Sequence, residues 1–251
     1  MQLPPLFSVS NLEKRFGHHK ILRGVSFDIF AGDFLLLLGS NGAGKSTLLR
    51  ILSSLMRPSA GELLFDGQSY SAAGARLRGA IGMVAHESQF YGDLTARENL
   101  KVFGTMYGVR DLPDKITAAL REMNLDSFPD VPVRAFSGGM TKRLALSRLA
   151  LYRPRVLLMD EPYAGLDQES VLLLDSFLDD FKSSGGTTVM VTHQFTNAVA
   201  HCNRLLILHQ GGLVYNQTVQ DITADHCAKL LHRYSRTTPS SRTSQDENGS
   251  K

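Results

Sequence analysis

The chain has 251 residues, 43% hydrophobic and 20% charged, with 27 Lys and Arg against 24 Asp and Glu for a net charge of +3. That composition belongs to a globular protein and excludes a collagenous, largely disordered or disulfide-stapled one. The richest apolar block, Phe34 to Leu38, is far shorter than the ~20 residues of a membrane-spanning helix, and so small a positive excess gives no reason to expect nucleic acid as a partner.

In chain order, Phe7 to Leu12 and Val25 to Ile29 partly alternate apolar with polar residues and predict strands, with a turn at Ala31-Gly32-Asp33. Phe34 to Leu38 is a continuous apolar run, the pattern of a strand buried on both faces. A glycine-rich loop follows, then a helix predicted from Ser46 to Met56, stopped near Pro58. From Glu87 to Arg153 the pattern is mainly helical, and Thr95-Ala-Arg-Glu98 reads as a capping box. Pro129 and Pro132 lead into a loop before Phe136, and a helix is expected over Thr141 to Leu151. Strands are expected at Arg155–Met159, Thr188–Thr192 and Leu205–Leu208, with a helix over Ser170–Lys182. Short apolar strands separated by helices predict an α/β fold with a largely parallel sheet, into which a helical subdomain of about residues 87–153 is inserted. Ser235 to Lys251 holds eight Ser or Thr and no apolar residue, so it is expected to be a disordered tail beyond a domain of residues 1–234.

Gly39-Ser40-Asn41-Gly42-Ala43-Gly44-Lys45-Ser46 fits G-x-x-x-x-G-K-[ST] and lies between the apolar strand and the helix. Glycines let successive backbone N–H groups turn toward phosphate oxygens, and the helix N-terminus adds its positive end. Lys45 would reach the β- and γ-phosphates, and the Ser46 hydroxyl would bind Mg²⁺; Thr47, the next residue, is also expected to bind the nucleotide. Val156-Leu-Leu-Met-Asp160-Glu161 supplies a second half. Asp160, at the end of an apolar strand, is placed to hold the magnesium, and Glu161 to orient or deprotonate an attacking water. An Asp-Glu pair after an apolar run, met alone, is more often a helix start or solvated turn. Paired with the loop at Gly39, it favours the nucleotide reading.

Over roughly residues 6 to 220 the sequence resembles the ATP-binding subunit of ABC transporters. Phe136-Ser-Gly-Gly-Met140 stands where that family has its Leu-Ser-Gly-Gly-Gln signature, directly before a helix. Ala164-Gly-Leu-Asp167 looks like its D-loop, Val191-Thr-His193 like its switch histidine, and Phe16 like the aromatic that stacks on adenine. The resemblance implies a P-loop NTPase (RecA-like) core of the ABC ATPase type with an N-terminal antiparallel β subdomain. It also implies that Ser137, Gly138 and Gly139 bind, in trans, the γ-phosphate of ATP held by a second subunit, so that two chains enclose two ATP molecules with Mg²⁺. Glu161, His193 and Lys45 are then the expected catalytic residues.

Two positions depart from the family pattern. His86 occupies the place of the Q-loop glutamine, with Gln89 three residues later, and Met140 ends the signature. Neither removes the phosphate cradle or Glu161, so an active ATPase is expected. The histidine at residue 86, Tyr91 to Asn99, Phe103 to Val109 and the Phe-Ser-x-Gly-Met signature are similar to the heme exporter ATPases of cytochrome c maturation. ATPases of drug, lipid or polysaccharide exporters share the plan. A soluble, non-transport ABC ATPase is disfavoured by the single cassette and low charge. The expected partners are a second ATP-binding subunit, as a homodimer, and an integral membrane permease, without nucleic acid. The N-terminus has no signal-peptide pattern, and Cys202 and Cys227 have no ligand spacing. The expected location is therefore cytoplasmic, and the resemblance implies a peripheral place on the inner face of the cell membrane.

Overall fold

The computed structural model describes residues 4–85, 89–220 and 222–235. The chain opens with a hairpin of β1 (Phe7–Phe16) and β2 (His19–Ile29), and then enters β3 (Phe34–Gly39) and α1 (Lys45–Leu52). Next come β4 (Ala60–Phe65), β5 (Gln68–Ser69), α2 (Tyr70–Ala80) and β6 (Ile81–Val84). Three helices follow, α3 (Ala96–Met106), α4 (Leu112–Glu122) and α5 (Gly138–Tyr152), before β7 (Val156–Asp160) and α6 (Gln168–Ser183). The remainder is β8 (Thr187–Val191), α7 (Phe195–His201), β9 (Arg204–His209), β10 (Gly212–Thr218) and α8 (Ala224–Ser235). The stretch expected to form a tail from Ser235 therefore begins inside α8, and residues 236–251 lie outside the described residues.

The strands form two sheets. One is four-stranded and antiparallel in the order β2-β1-β4-β5. The other is six-stranded in the order β10-β9-β3-β8-β7-β6, parallel from β9 to β6 with β10 antiparallel on the edge. Strand order departs from chain order at β3, which lies between β9 and β8, so the loop leaving β3 and the loops leaving β7 and β8 meet at one sheet edge. That carboxyl edge is where open α/β sheets place their ligands.

The apolar run of β3 is buried along its whole length. Successive side chains of a strand point to opposite faces, so Leu35 and Leu37 enter the core shared with the antiparallel sheet and α1. Phe34, Leu36 and Leu38 enter the other, with α3 to α8. The same division sends Val156 and Leu158 of β7 one way and Leu157 and Met159 the other. Two hydrophobic layers thus share one sheet, and each fully buried Leu or Val contributes about 1.5–3 kcal/mol.

Helix boundaries moved where capping chemistry competes with apolar period. The helix expected to run to Met56 ends at Leu52, because Ser53 caps it and Ser54 turns to φ 60°. The helix expected from Thr141 begins at Gly138, since the Ser137 hydroxyl accepts the Met140 N–H at 3.2 Å. The capping box at α3 is present as expected: Thr95 Oγ1 accepts the Glu98 N–H at 3.1 Å, and Glu98 Oε2 accepts the Thr95 N–H at 2.8 Å. The second strand, expected from Val25, reaches back to His19 because its pairing with β1 runs to Phe16.

Candidate nucleotide site

The loop leaving β3 curls because two glycines leave no room for a side chain. A β-carbon on Gly39 would stand 2.4 Å from the Leu208 carbonyl oxygen of β9. One on Gly44, at φ 103°, would meet Leu22 Cδ2 at 2.7 Å and the Ile21 carbonyl oxygen at 3.1 Å. The loop therefore folds flat against β9 and β2 and delivers Gly44 to the start of α1. Asn41, Gly42, Gly44, Lys45, Ser46 and Thr47 line a cavity of about 750 Å³. First-turn amides of a helix have no intrahelical acceptor and carry its positive end.

The Lys45 side chain bends back into the loop, where its Nζ donates to the carbonyl oxygens of Gly39 at 2.8 Å and Ser40 at 3.0 Å. Burial pulls this ammonium below its ordinary pKa, opposed by the charges of Glu161 and Asp160. The positive charge is thus seated at the centre of the loop and faces two carboxylates across the cavity.

Those carboxylates arrive from the adjacent parallel strands. Asp160 closes β7 in register with Val191 of β8, and both Asp160 and Val191 line the cavity. Glu161, the next residue, adopts φ 52°, and its N–H donates to the Val191 carbonyl at 2.8 Å. Its Oε2 accepts the His193 N–H at 3.1 Å, and His193 Nε2 lies 3.5 Å from Oε1. The Glu161 side chain is 21% exposed and that of His193 50%, so the carboxylate is held at the wall while the imidazole stands open.

The remaining expected residues fall elsewhere. Ser137 caps α5, with Gly138 and Gly139 in its first turn; none of the three is in the wall of this chain's cavity, and Gly138 instead lines a separate groove of about 380 Å³. Asp167 caps α6 by accepting the Ser170 N–H at 2.8 Å, and hydrogen bonding from Ser170 holds its carboxyl below the usual range. Phe16 ends β1 half exposed with Lys14 Nζ 5.0 Å from its ring centre, while β2 supplies Ile21 to the cavity wall. His86 lies outside the described residues. Gln89 lines both cavity and groove, and its Oε1 accepts from Arg148 Nη1 at 3.3 Å.

Sequence reasoning passed over Ile21, Arg50, Leu55 and Met83, which also line the cavity. Ile21, Leu55 and Met83 carry no chemical signature; Arg50 carries a phosphate-matching guanidinium, but it belongs to no spaced motif, and only its place on the helix after the loop would have pointed to it. The residues present fit a magnesium-bound nucleoside triphosphate. The Lys45 ammonium and a first helical turn suit polyphosphate, and the Ser46 hydroxyl and Asp160 carboxylate are the hard oxygen donors that Mg²⁺ takes alongside phosphate oxygens.

The family model described as "ABC transporter" matches residues 22–164. The chain is 36% identical over 209 residues to the Nod factor export ATP-binding protein I of Ralstonia nicotianae, covering 82% of this chain and 65% of the relative, so it spans less than two thirds of that protein's length. It is 39% identical over 180 residues to the cytochrome c biogenesis ATP-binding export protein CcmA 2 of Cupriavidus metallidurans, covering 72% of this chain and 85% of the relative. A solved ATP-binding cassette, a dimer in a post-hydrolysis state bound to ADP and Pi, superposes with a TM-score of 0.78 at 25% identity, covering 86% of this chain and all of that one, 100%.

Proposed function

The chain belongs to the ABC transporter family, and from that premise we propose that it is the ATP-binding and ATP-hydrolysing subunit of an exporter, working as a dimer on a membrane partner. The observation that carries this reading is the Glu161 carboxylate, held by the His193 N–H at 3.1 Å in the wall of the cavity that Lys45 and Ser46 also line. In that arrangement Lys45 and the first-turn amides of α1 bind the phosphates. Ser46 and Asp160 would hold Mg²⁺, which would supply positive charge to offset that of the phosphates. Glu161 accepts the proton of the attacking water, and His193 orients the carboxylate through its main chain and reaches the γ-phosphate with its exposed imidazole. Phe16 supplies the face for adenine.

Ser137, Gly138 and Gly139 serve the nucleotide of the second chain. Their position outside this chain's own cavity supports that division, as does the dimeric state of the similar cassette bound to ADP and Pi. Among the described residues no helix is long and apolar enough to cross a membrane. In the proposed reading, transport runs through an integral membrane partner, with this chain docked at its cytoplasmic face. Residues 1–234 act as the cassette, with the helices between β6 and β7 as its inserted part.

Heme export for cytochrome c biogenesis is the finer proposal, supported by the 39% identity to CcmA 2. The relative named for Nod factor export matches more of this chain, 82% against 72%. Purifying the chain with its membrane partner and identifying that partner decides between them: a partner that binds heme supports the first, and one that does not bind heme overturns it.

Glu161→Gln tests the ATPase reading. It keeps the hydrogen-bonding shape and removes the base, so phosphate release falls at least about 100-fold, ATP binding persists, and an ATP-bound dimer accumulates in light scattering. Turnover retained in this variant would remove Glu161 from the chemistry.

A further inference from the structure

The helix that begins with the Ser-Gly-Gly cradle carries a lysine that none of the motifs includes. Lys142 lies just past Ser137 on α5, and its Nζ donates to the carbonyl oxygens of Glu161 at 3.2 Å, of Pro162 at 3.2 Å, and of Ala164. An ammonium has three protons, and all three meet acceptors in the one loop that leaves β7. The loop needs such a clamp. Glu161 holds φ 52° without being glycine, a conformation that persists only where its surroundings over-determine it. On one side the Glu161 N–H is tied to Val191. On the other, its carbonyl receives Lys142 together with the Ala164 N–H at 3.2 Å. Further along, the buried Tyr163 ring is anchored by its hydroxyl, which donates to Asp175 Oδ1 at 2.7 Å.

We propose that Lys142 is a positioning residue for Glu161: its ammonium, gripping the carbonyls of residues 161, 162 and 164, sets the main chain from which the carboxylate reaches the cavity. Burial lowers the pKa of this ammonium and the Glu161 charge raises it, so it stands in the field of the carboxylate it positions. Because α5 is continuous from Gly138, the lysine also holds Glu161 in a set relation to the cradle that faces the second chain. The inference rests on Glu161 being the base. A packing residue at this place would work through its methylenes, whereas a clamp works through its charge and donors.

Lys142→Met keeps the length and apolar stem and removes the ammonium. In the full chain with ATP and Mg²⁺, kcat falls about 10- to 100-fold, the effect expected of a misplaced reacting group. KM for ATP stays within about threefold, and ATP-dependent dimerisation is retained, because neither the phosphate loop nor the cradle has been touched. Wild-type kcat overturns the proposal. So does a loss expressed in KM or in dimerisation, which would place the ammonium's role in binding. If Lys142→Met fails to fold, Lys142→Gln, which retains N–H donors without charge, carries the same expectation and the same overturning result. Glu161→Gln measured alongside separates the two ideas: if that variant turns over ATP the base assignment falls, and if it is inactive while Lys142→Met is normal only the clamp falls.

Discussion

At the scale of single residues, the site is built from backbone conformations that most side chains avoid. Gly39 brings β3 so close to β9 that a methyl group would stand 2.4 Å from the Leu208 carbonyl. Gly39→Ala must push the loop off β9, and the oxygens of residues 39 and 40 that seat Lys45 move with it. We expect ATP affinity to fall at least about tenfold, with a destabilisation of about 1–3 kcal/mol, read by calorimetric titration and thermal melting. Unchanged affinity would mean that the loop does not need this approach. The loop glycines, Lys45, Ser46, Asp160 and Glu161 were legible in sequence because each is part of a spaced pattern with one chemical use. Lys142 was not, because its partners are main-chain oxygens about twenty positions away, and no residue type announces a carbonyl.

At the scale of elements, β3 was readable from five apolar residues in a row as a strand buried on both faces, but what each face packs against is visible only in the two cores it feeds. Capping chemistry located the start of α3, whereas the start of α5 was expected at Thr141 and lies at Gly138, since a hydroxyl at the N-cap outweighs weak helix formers such as the two glycines that follow Ser137. The junction between the two sheets was not legible. Asp66, in the turn between β4 and β5, accepts from Arg155 Nη1 at 2.7 Å just before β7, and from Arg76 Nη2 of α2 at 2.7 Å. Hydrogen bonding from Arg155, with that from Arg76, holds the Asp66 carboxyl below its ordinary pKa. A depressed carboxyl pKa contributes stability above the unfolded value, near 3.9, that is lost as pH falls through the folded value. The melting temperature of Asp66→Asn should therefore lie below wild type at pH 7, and the gap should close below about pH 4. A gap that persists under acid would show that the charge of Asp66 is not its contribution.

At the scale of the whole molecule, Ser137, Gly138 and Gly139 lie outside the wall of this chain's cavity, and on the proposed function they serve the nucleotide of a second chain. Ser137→Arg puts a long cation at the cradle while leaving the residues that line this chain's cavity in place. ATP binding should stay within about threefold of wild type, with turnover and the ATP-dependent dimer both lost; an active variant would mean that each chain works alone. Short apolar strands separated by helices determined the α/β class, while the order and spacing of short motifs, read as sequence, determined the nucleotide chemistry and the family resemblance. They could do so because phosphate binding demands particular backbone freedom and particular charges at neighbouring positions. The tertiary structure alone decided which distant groups meet: Glu161 with His193 across β7 and β8, Lys142 with the loop after β7, and Asp66 with Arg155 between the sheets. Such meetings depend on strand order and helix packing, which come from burying two apolar layers on one sheet and leave no local mark in the chain.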